Sequence, residues 1–223
     1  MIIAIDGPAG AGKSSVTKLV ASELGFSCLD TGAMYRAIAW LALEKGVALD
    51  DPDALTKLSD SCVISFGHEV GNPAPAHVYV DGIEVTRDIR TARIDKSVSS
   101  VSCVPGVRKA LVAQQQRIGS EGDYVVEGRD IGTVVFPSAE TKVFLTASAE
   151  ERARRRVAQN SERGIGSLDF DEVLSDIVKR DERDMARADS PLRPADDAVL
   201  VDSTTLGIDQ IVESICDLAR SRM

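Results

Sequence analysis

Cysteine and histidine are both scarce in this chain. The four cysteines, Cys28, Cys62, Cys103 and Cys216, lie far apart and form no CxxC pair. That excludes a disulfide framework and a redox motif, and fits small thiols buried as apolar residues in a reducing compartment. The two histidines, His68 and His77, share one Gly/Pro-rich stretch without further ligands nearby, which argues against a structural zinc site. Long apolar runs are missing too. The longest, such as Ala37 to Leu43, fall far short of the roughly 20 residues that cross a bilayer. Met1 to Ile5 has no basic segment and runs straight into Asp6, so no signal peptide is expected and a cytoplasmic location is. Positive charge is outweighed: 26 Lys plus Arg stand against 35 Asp plus Glu, a net charge of −9. A nucleic-acid-binding module would show the opposite balance. Neither nucleic acid nor a membrane is therefore an expected partner; a monomer is the expected state.

What is present is ordinary for a globular protein: 223 residues, 43% apolar and 27% charged, enough for one domain with insertions. Ile2 to Ile5 reads as a buried strand. A glycine-rich turn follows, then a helix from about Lys13 to Leu24 stopped by Gly25. Ser27 to Leu29 is a short strand, Ala33 to Lys45 a helix, and Asp53 starts another. Val63 to Phe66, His77 to Val80 and Ile83 to Val85 read as short strands, with Asp81-Gly82 a strong hairpin signal. Thr91 to Val101 and a stretch opened by Pro105 and ending near Ile118 are predicted helices. Tyr124 to Glu127 and Lys142 to Thr146 are predicted strands. Ser148 with Glu151 forms a capping box for a helix through about Gln159. Ser161 to Asp169 is a flexible break, and Asp169 and Glu172 start a helix to about Arg187. Val199 to Val201 and Ile208 to Ala219 complete the pattern. Apolar runs alternating with helices predict an α/β fold: a five-stranded parallel sheet covered by helices on both faces, with a small antiparallel insert.

Gly7-Pro8-Ala9-Gly10-Ala11-Gly12-Lys13-Ser14 matches GxxxxGK[ST] between a predicted strand and a predicted helix. Glycines let backbone N–H groups close around phosphate oxygens, and the helix start adds partial positive charge. Lys13, expected as an exposed loop residue, would bridge the terminal phosphates. The Ser14 hydroxyl suits Mg²⁺. A nucleoside triphosphate is implied, but not its use. A guanine-reading [NT]KxD is missing: Thr141 to Phe144 reads TKVF. A motor ATPase would carry an acidic strand end of another kind, whereas the third predicted core strand ends YVVEGRD. That suits a compact kinase.

Three further clusters carry charge where a ligand would sit. Asp30 to Arg36 follows the second strand, and Thr31 and Arg36 could hold an anion at a helix start, or be a plain cap with a surface arginine. Glu127 to Thr133 follows the third strand, beyond a carboxyl end where ligands bind in open α/β sheets, unless it is an ion-paired turn. Arg180, Asp184 and Arg187 fall on one face of a predicted helix, where simple ion pairs would contribute about 0.3–0.5 kcal/mol each. Nine of the 18 arginines lie between Arg152 and Arg193. Arg152, Arg154, Arg155 and Arg156 precede the break, as a mobile lid for phosphoryl transfer would require.

These strings together resemble the bacterial-type cytidylate kinases of the nucleoside monophosphate kinase family of P-loop proteins. The matching segments are IDGPAGAGKSS, LDTGAMYRA, EGRDIGTVVFP, ASAEERARRR, RDERDMARADSPL and VDSTT, in order along nearly the whole chain. Many members have Asp where this chain has Glu127, and Asn160 to Asp169 follows the family's lid pattern loosely. The resemblance implies one P-loop kinase domain over residues 1–223. It has a monophosphate-binding region at about 31–110, including the insert at 62–86, and a lid at about 150–170. It implies transfer of the ATP γ-phosphoryl group to CMP or dCMP with Mg²⁺. Gly7, Pro8, Ala9, Gly10, Ala11, Gly12, Lys13, Ser14 and Ser15 would hold ATP, with Ser14 on the metal. Thr31, Tyr35, Arg36 and Arg129 would surround the acceptor phosphate. Ser99, Arg108 and Asp130 would read cytosine, Arg180 and Asp184 would hold the sugar, and Ser203 to Thr205 would lie near the donor's adenine. Lys13, Arg129, Arg187 and the lid's Arg154 and Arg156 would neutralise the phosphates during transfer. A kinase for UMP, AMP, shikimate or dephospho-coenzyme A, and a nucleotide switch with no small acceptor, are the competing readings.

Overall fold

A computed structural model describes residues 1–164 and 166–223 of the chain. In chain order it forms β1 (Ile2–Asp6), α1 (Lys13–Leu24), β2 (Ser27–Asp30), α2 (Thr31–Glu44), α3 (Pro52–Ser61), β3 (Ile64–Gly67), β4 (His77–Val80) and β5 (Ile83–Glu84). Then come α4 (Ala92–Ser102), α5 (Pro105–Gly119), β6 (Tyr124–Gly128), a single π-helical turn (Ile131–Val135), β7 (Thr141–Thr146), α6 (Ala149–Arg163), α7 (Phe170–Met185), β8 (Val199–Asp202) and α8 (Ile208–Arg220). Five strands make a parallel sheet in the order β2–β6–β1–β7–β8, and β3, β4 and β5 make a separate antiparallel sheet. Among the described residues, no helix is long and apolar enough to cross a membrane.

β1 is central because its sequence tolerates burial on both faces. Ile3, Ala4 and Ile5 are fully buried, as the inner strand of a helix-covered parallel sheet must be. Its register sets Asp6 opposite Gly128 of β6 and opposite Phe144 of β7. The segments leaving these strands therefore start from one edge of the sheet, the edge where α/β proteins place ligands.

The chain divides into two compact units, Met1–Phe26 with Tyr124–Met223, and Ser27–Asp123. In the first, α8 buries Ile211, Ile215, Cys216 and Ala219, a stripe at helical spacing. α6 and α7 pack through Ala153, Val173 and Ile177, with Val157, Phe170 and Leu174 at the margin. In the second, the β4–β5 turn puts Asp81 and Gly82 at φ 50° and 81°, both left-handed, which is the tight hairpin geometry that Asp-Gly favours. Gln114 of α5 accepts the Ile64 N–H and donates to Cys62 O, both at 3.0 Å, and so ties the insert to that helix.

Several expected boundaries move for identifiable reasons. α2 starts at Thr31 because Asp30 takes the cap and accepts the Ala33 N–H at 2.9 Å. The capping box at Ser148 forms only one of its arms. Ser148 Oγ accepts the Glu151 N–H, but the Glu151 carboxylate goes to Arg154 and Arg155, and the Ser148 N–H goes to Thr204 Oγ1. α6 continues to Arg163, into the start of the expected break, and Gly164 ends it at φ 64°. Ile165, inside that break, lies outside the described residues. α7 stops at Met185, so Arg187 is past the helix and not on the face of Arg180 and Asp184.

Gly7 shows the tightest backbone approach. At φ 149°, an added Cβ would lie 1.9 Å from Leu145 O of β7. Gly7→Ala must shift either the loop or the strand. A loss of about 1–3 kcal/mol is expected from urea unfolding, together with weaker ATP binding by calorimetry. A variant with the parent's stability would show that the contact relaxes at no cost.

Candidate functional site

In the first unit the site is built around the loop from Gly7 to Ser14. Gly12 caps α1 at φ 93°, with no side chain on the first amides and no acidic residue in the first turn. The loop carbonyls are held from the protein side. Lys13 Nζ donates to Gly7 O and Pro8 O, both at 2.7 Å. Arg152 Nη1 donates to Ala9 O at 3.2 Å and Arg155 Nη1 to Ala11 O at 3.4 Å. A trans peptide whose carbonyl faces the protein turns its N–H the other way. This loop is thus suited to receive an anion on its amides.

Lys13 is not the exposed residue the motif alone predicts. It is the first residue of α1 and only 7% exposed. Burial, then the Arg129 guanidinium, press its pKa well below the ordinary lysine value, with Arg180 adding to this and Glu127 and Asp6 opposing it. Phosphate oxygens would reverse that pressure. The Ser14 hydroxyl donates to Glu127 Oε2 at 2.8 Å. A hydroxyl paired with a carboxylate is the oxygen-rich setting that Mg²⁺ takes, and Mg²⁺ draws its other ligands from nucleotide phosphates and water. Among the described residues no group of three or more His, Cys, Asp or Glu could hold a metal alone.

β6 delivers Glu127, and Arg129 and Asp130 follow it. Arg129 Nε donates to Asp184 Oδ2 at 3.2 Å, and Arg187 Nη2 donates to Asp184 Oδ1 at 2.5 Å. One buried carboxylate thereby holds two guanidiniums. Asp184 and Arg187 are linked although Arg187 lies beyond the helix. Arg180 on α7 is close enough to act on Lys13 electrostatically. Arg154 and Arg156 sit on α6 outside this group: Arg154 is exposed against Glu151, and Arg156 donates to Gln159.

Sequence reasoning counted Arg152 and Arg155 among the lid arginines without a role of their own, and gave Asp181 none. Arg152 and Asp181 form a buried pair at 2.6 Å, with Arg152 also donating to Ala147 O. Arg155 donates to Ser203 Oγ at 3.0 Å and Ser203 O at 2.6 Å, and Ser203 Oγ lies 3.1 Å from Ala11 O. One signal was available. The buried stripe of α7 runs Val173, Ile177, Asp181, Asp184, and an acid on an apolar stripe requires a buried partner.

The second unit carries the other expected residues. Thr31 is buried at the start of α2, and Tyr35 and Arg36 follow within that helix. Arg36 is ion-paired with Asp95 of α4, a partner that sequence reading did not name. Arg108 of α5 is 4% exposed and stacks over the Tyr35 ring at 5.8 Å. Ser99 is half-buried on α4. The expected cytosine readers are thus divided in the chain, with Asp130 in the first unit and Ser99 and Arg108 in the second.

Comparison with known proteins adds to this geometry. The cytidylate kinase family model matches residues 3–221. A cytidylate kinase of Rhodococcus opacus is 53% identical over 95% of this chain and 91% of its own length. That of Streptococcus thermophilus is 47% identical over 98% and 95%. A bifunctional pantoate ligase/cytidylate kinase of Trichormus variabilis is 46% identical over all of this chain, which spans 42% of that relative. Among solved structures, a shikimate kinase from Bacteroides thetaiotaomicron superposes with TM-score 0.50 at 14% identity, over 99% of this chain and 98% of its own. That likeness speaks for the fold alone.

The buried Arg152–Asp181 pair gives a stability test. Arg152→Met leaves a carboxylate buried without its partner and should cost about 3–5 kcal/mol in urea unfolding. Adding Asp181→Leu should recover most of it. No recovery in the double variant would show that the pair does not hold α6 to α7.

Proposed function

Because the chain belongs to the cytidylate kinase family, we infer that it transfers the γ-phosphoryl group of ATP to the phosphate of CMP or dCMP. The products are ADP and CDP or dCDP. The bond from the γ-phosphorus to the β,γ-bridging oxygen breaks, and a bond to an acceptor phosphate oxygen forms. Such transfer needs positioning and charge neutralisation and little covalent help. The observation that carries the reading is Asp184 holding Arg129 and Arg187 in the same unit as the phosphate loop, with Arg129 near enough to Lys13 to depress its pKa.

Gly7 to Ser15 hold the ATP phosphates, with Lys13 on the terminal oxygens. Mg²⁺, held through Ser14, supplies neutralisation of the donor phosphates when bound. Thr31, Tyr35, Arg36 and Arg129 take the acceptor phosphate, and Arg180 and Asp184 the sugar. Arg187, with the exposed Arg154 and the half-buried Arg156 of α6, neutralises the group in flight. Residues 31–110 form the monophosphate-binding region and 150–170 the lid of one kinase domain. The enzyme acts on small molecules as a cytoplasmic monomer.

Base choice follows from hydrogen-bond sense. Cytosine offers a donor at N4 and an acceptor at N3. An ionised Asp130 only accepts, and Arg108 only donates. Uracil would set O4 against Asp130, acceptor against acceptor, and a mispaired buried group costs about 1–3 kcal/mol.

An ADP-release assay with each nucleoside monophosphate tests the activity. CMP and dCMP should stimulate release, UMP markedly less, and Lys13→Ala should remove most turnover while the chain stays folded. Release that no nucleoside monophosphate stimulates would overturn the assignment.

Asp130→Asn tests the base reading. It should narrow the CMP-over-UMP ratio of kcat/KM, chiefly by harming CMP, because the amide both donates and accepts. If both acceptors fall equally, Asp130 shapes the turn and does not read the base.

A further inference from the structure

Asp6 closes β1 and is 4% exposed. It belongs to none of the donor or acceptor roles assigned above. Its Oδ1 accepts the Ile131 N–H at 2.7 Å and its Oδ2 accepts the Gly132 N–H at 2.8 Å. Those amides open the π-helical turn Ile131–Val135, whose cap position is Asp130. A residue at a cap ordinarily takes such amides with its own side chain. Asp130 makes no cap bond to its turn. Its carbonyl instead accepts the Val134 and Val135 N–H groups, so the turn winds directly from Asp130. Gly132 lies close to Lys142: an added Cβ would be 3.1 Å from its Cδ, and in ordinary contact with Asp6 Oδ2 at 3.5 Å.

We propose that Asp6 is a positioning residue, which caps the turn from β1 so that the carboxylate of Asp130 and the guanidinium of Arg129 are aimed at the acceptor. The inference rests on the roles given to those two residues under the proposed function. Burying a carboxylate is costly unless it is hydrogen-bonded, and both oxygens of Asp6 are committed to these two amides. An aspartate at Asp130 that capped its own turn could not also read a base. Supplying the cap from the neighbouring strand separates the two tasks.

The arrangement makes the turn sensitive to protonation. Burial, foremost, pushes the Asp6 carboxyl up to about 6; the Gly132 and Ile131 amides and Lys13 draw it down, and Asp130 pushes it further up. From β7, the Lys142 alkyl chain meets the same Gly132, with its ammonium on Asp197 and Pro137 O. A protonated Asp6 would set an O–H against a backbone N–H, donor against donor. Acceptor handling should therefore weaken as pH falls through that value.

Two measurements test this. In the unmodified protein, the backbone amide shifts of Ile131 and Gly132, followed by NMR, should titrate together with a midpoint near 6. In Asp6→Asn, the amide nitrogen opposes one of the two N–H groups at all pH values. Its kcat/KM for CMP should fall about tenfold near neutral pH, with a smaller change in KM for ATP, because Asp6 also supports the Lys13 charge. The CMP phosphate itself titrates near pH 6, at about the second phosphate pKa. The informative quantity is therefore the ratio of parent to variant, in which that contribution cancels. The ratio should be level above pH 7 and approach unity near pH 5. Flat amide shifts across this range, or a ratio that does not vary with pH, would overturn the proposal. If Asp6→Asn does not fold, the amide titration decides, read beside CMP affinity of the parent corrected for free CMP. Titration of both with one midpoint supports the proposal, and amides or affinity that stay flat overturn it. Failure of CMP to stimulate ADP release from the parent at every pH would sink the functional assignment, and this inference with it. A flat ratio in a CMP-active enzyme sinks the inference alone.

Discussion

Cations that must converge on phosphates repel one another before any phosphate arrives, and this repulsion shapes the first unit. Two unit charges about 4 Å apart at an effective dielectric near 20 interact by roughly 4 kcal/mol. Arg129 and Arg187 are kept together because Asp184 offers each a different oxygen. Lys13 rests its ammonium on two loop carbonyls and carries a depressed pKa, burial and Arg129 being the chief causes. Each of these protein partners is an oxygen that offsets part of the repulsion. The cations are already gathered before a ligand arrives, which is the preorganisation that electrostatic catalysis depends on.

The same logic explains the division of α7. Toward its start it packs as an ordinary amphipathic helix, with Val173 and Ile177 against Ala153 of α6. Toward its end the buried stripe continues as Asp181 and Asp184. The first acid fixes Arg152 and, through it, the carbonyl of Ala9 in the phosphate loop. The second fixes the arginines that follow β6 and α7. A helix with apolar residues at all four positions would pack α6 more cheaply, since a buried ion pair rarely outperforms well-packed hydrophobes. The acids are explained by what their partners touch, not by stability.

The fold was legible in the sequence where local chemistry alone decides it. A parallel strand buried on both faces carries a short apolar run, so β1, β6 and β7 stood out by Ile2 to Ile5, Tyr124 to Val126 and Val143 to Leu145. Lys13 to Leu24 was bounded by a motif and by Gly25, and Asp81-Gly82 marked its hairpin. What stayed hidden depends on partners distant in sequence. Four arginines crowd the stretch from Arg152 to Arg156, and a helix can turn any of them inward. The deciding acid, Asp181, and the deciding carbonyls, of Ala9 and Ala11, lie in other elements. Attention fell on Arg154 and Arg156, whereas Arg152 and Arg155 reach the loop. Lys13 was misjudged for a related reason: a motif specifies the residue and not how deeply the fold encloses it. Asp6 gave no signal at all, because a single acid after an apolar run looks like the end of a strand.

The charge of the whole chain completes the physical account. At −9 the protein is anionic, and so are nucleotides, so the long-range field gives them no attraction. Exposed charges are screened beyond roughly 8 Å at physiological salt, whereas buried groups are screened much less. Asp197 is exposed and paired with Lys142, and contributes little at the site. Lys13, Arg129 and Arg187 lie where the dielectric is low and act at hydrogen-bond range. Recognition of an anion by an acidic protein therefore rests on contact and not on steering. A contact mechanism of this kind requires that every cation be aimed beforehand, which is why the buried acids Asp181 and Asp184 bind arginine and Asp6 binds backbone N–H.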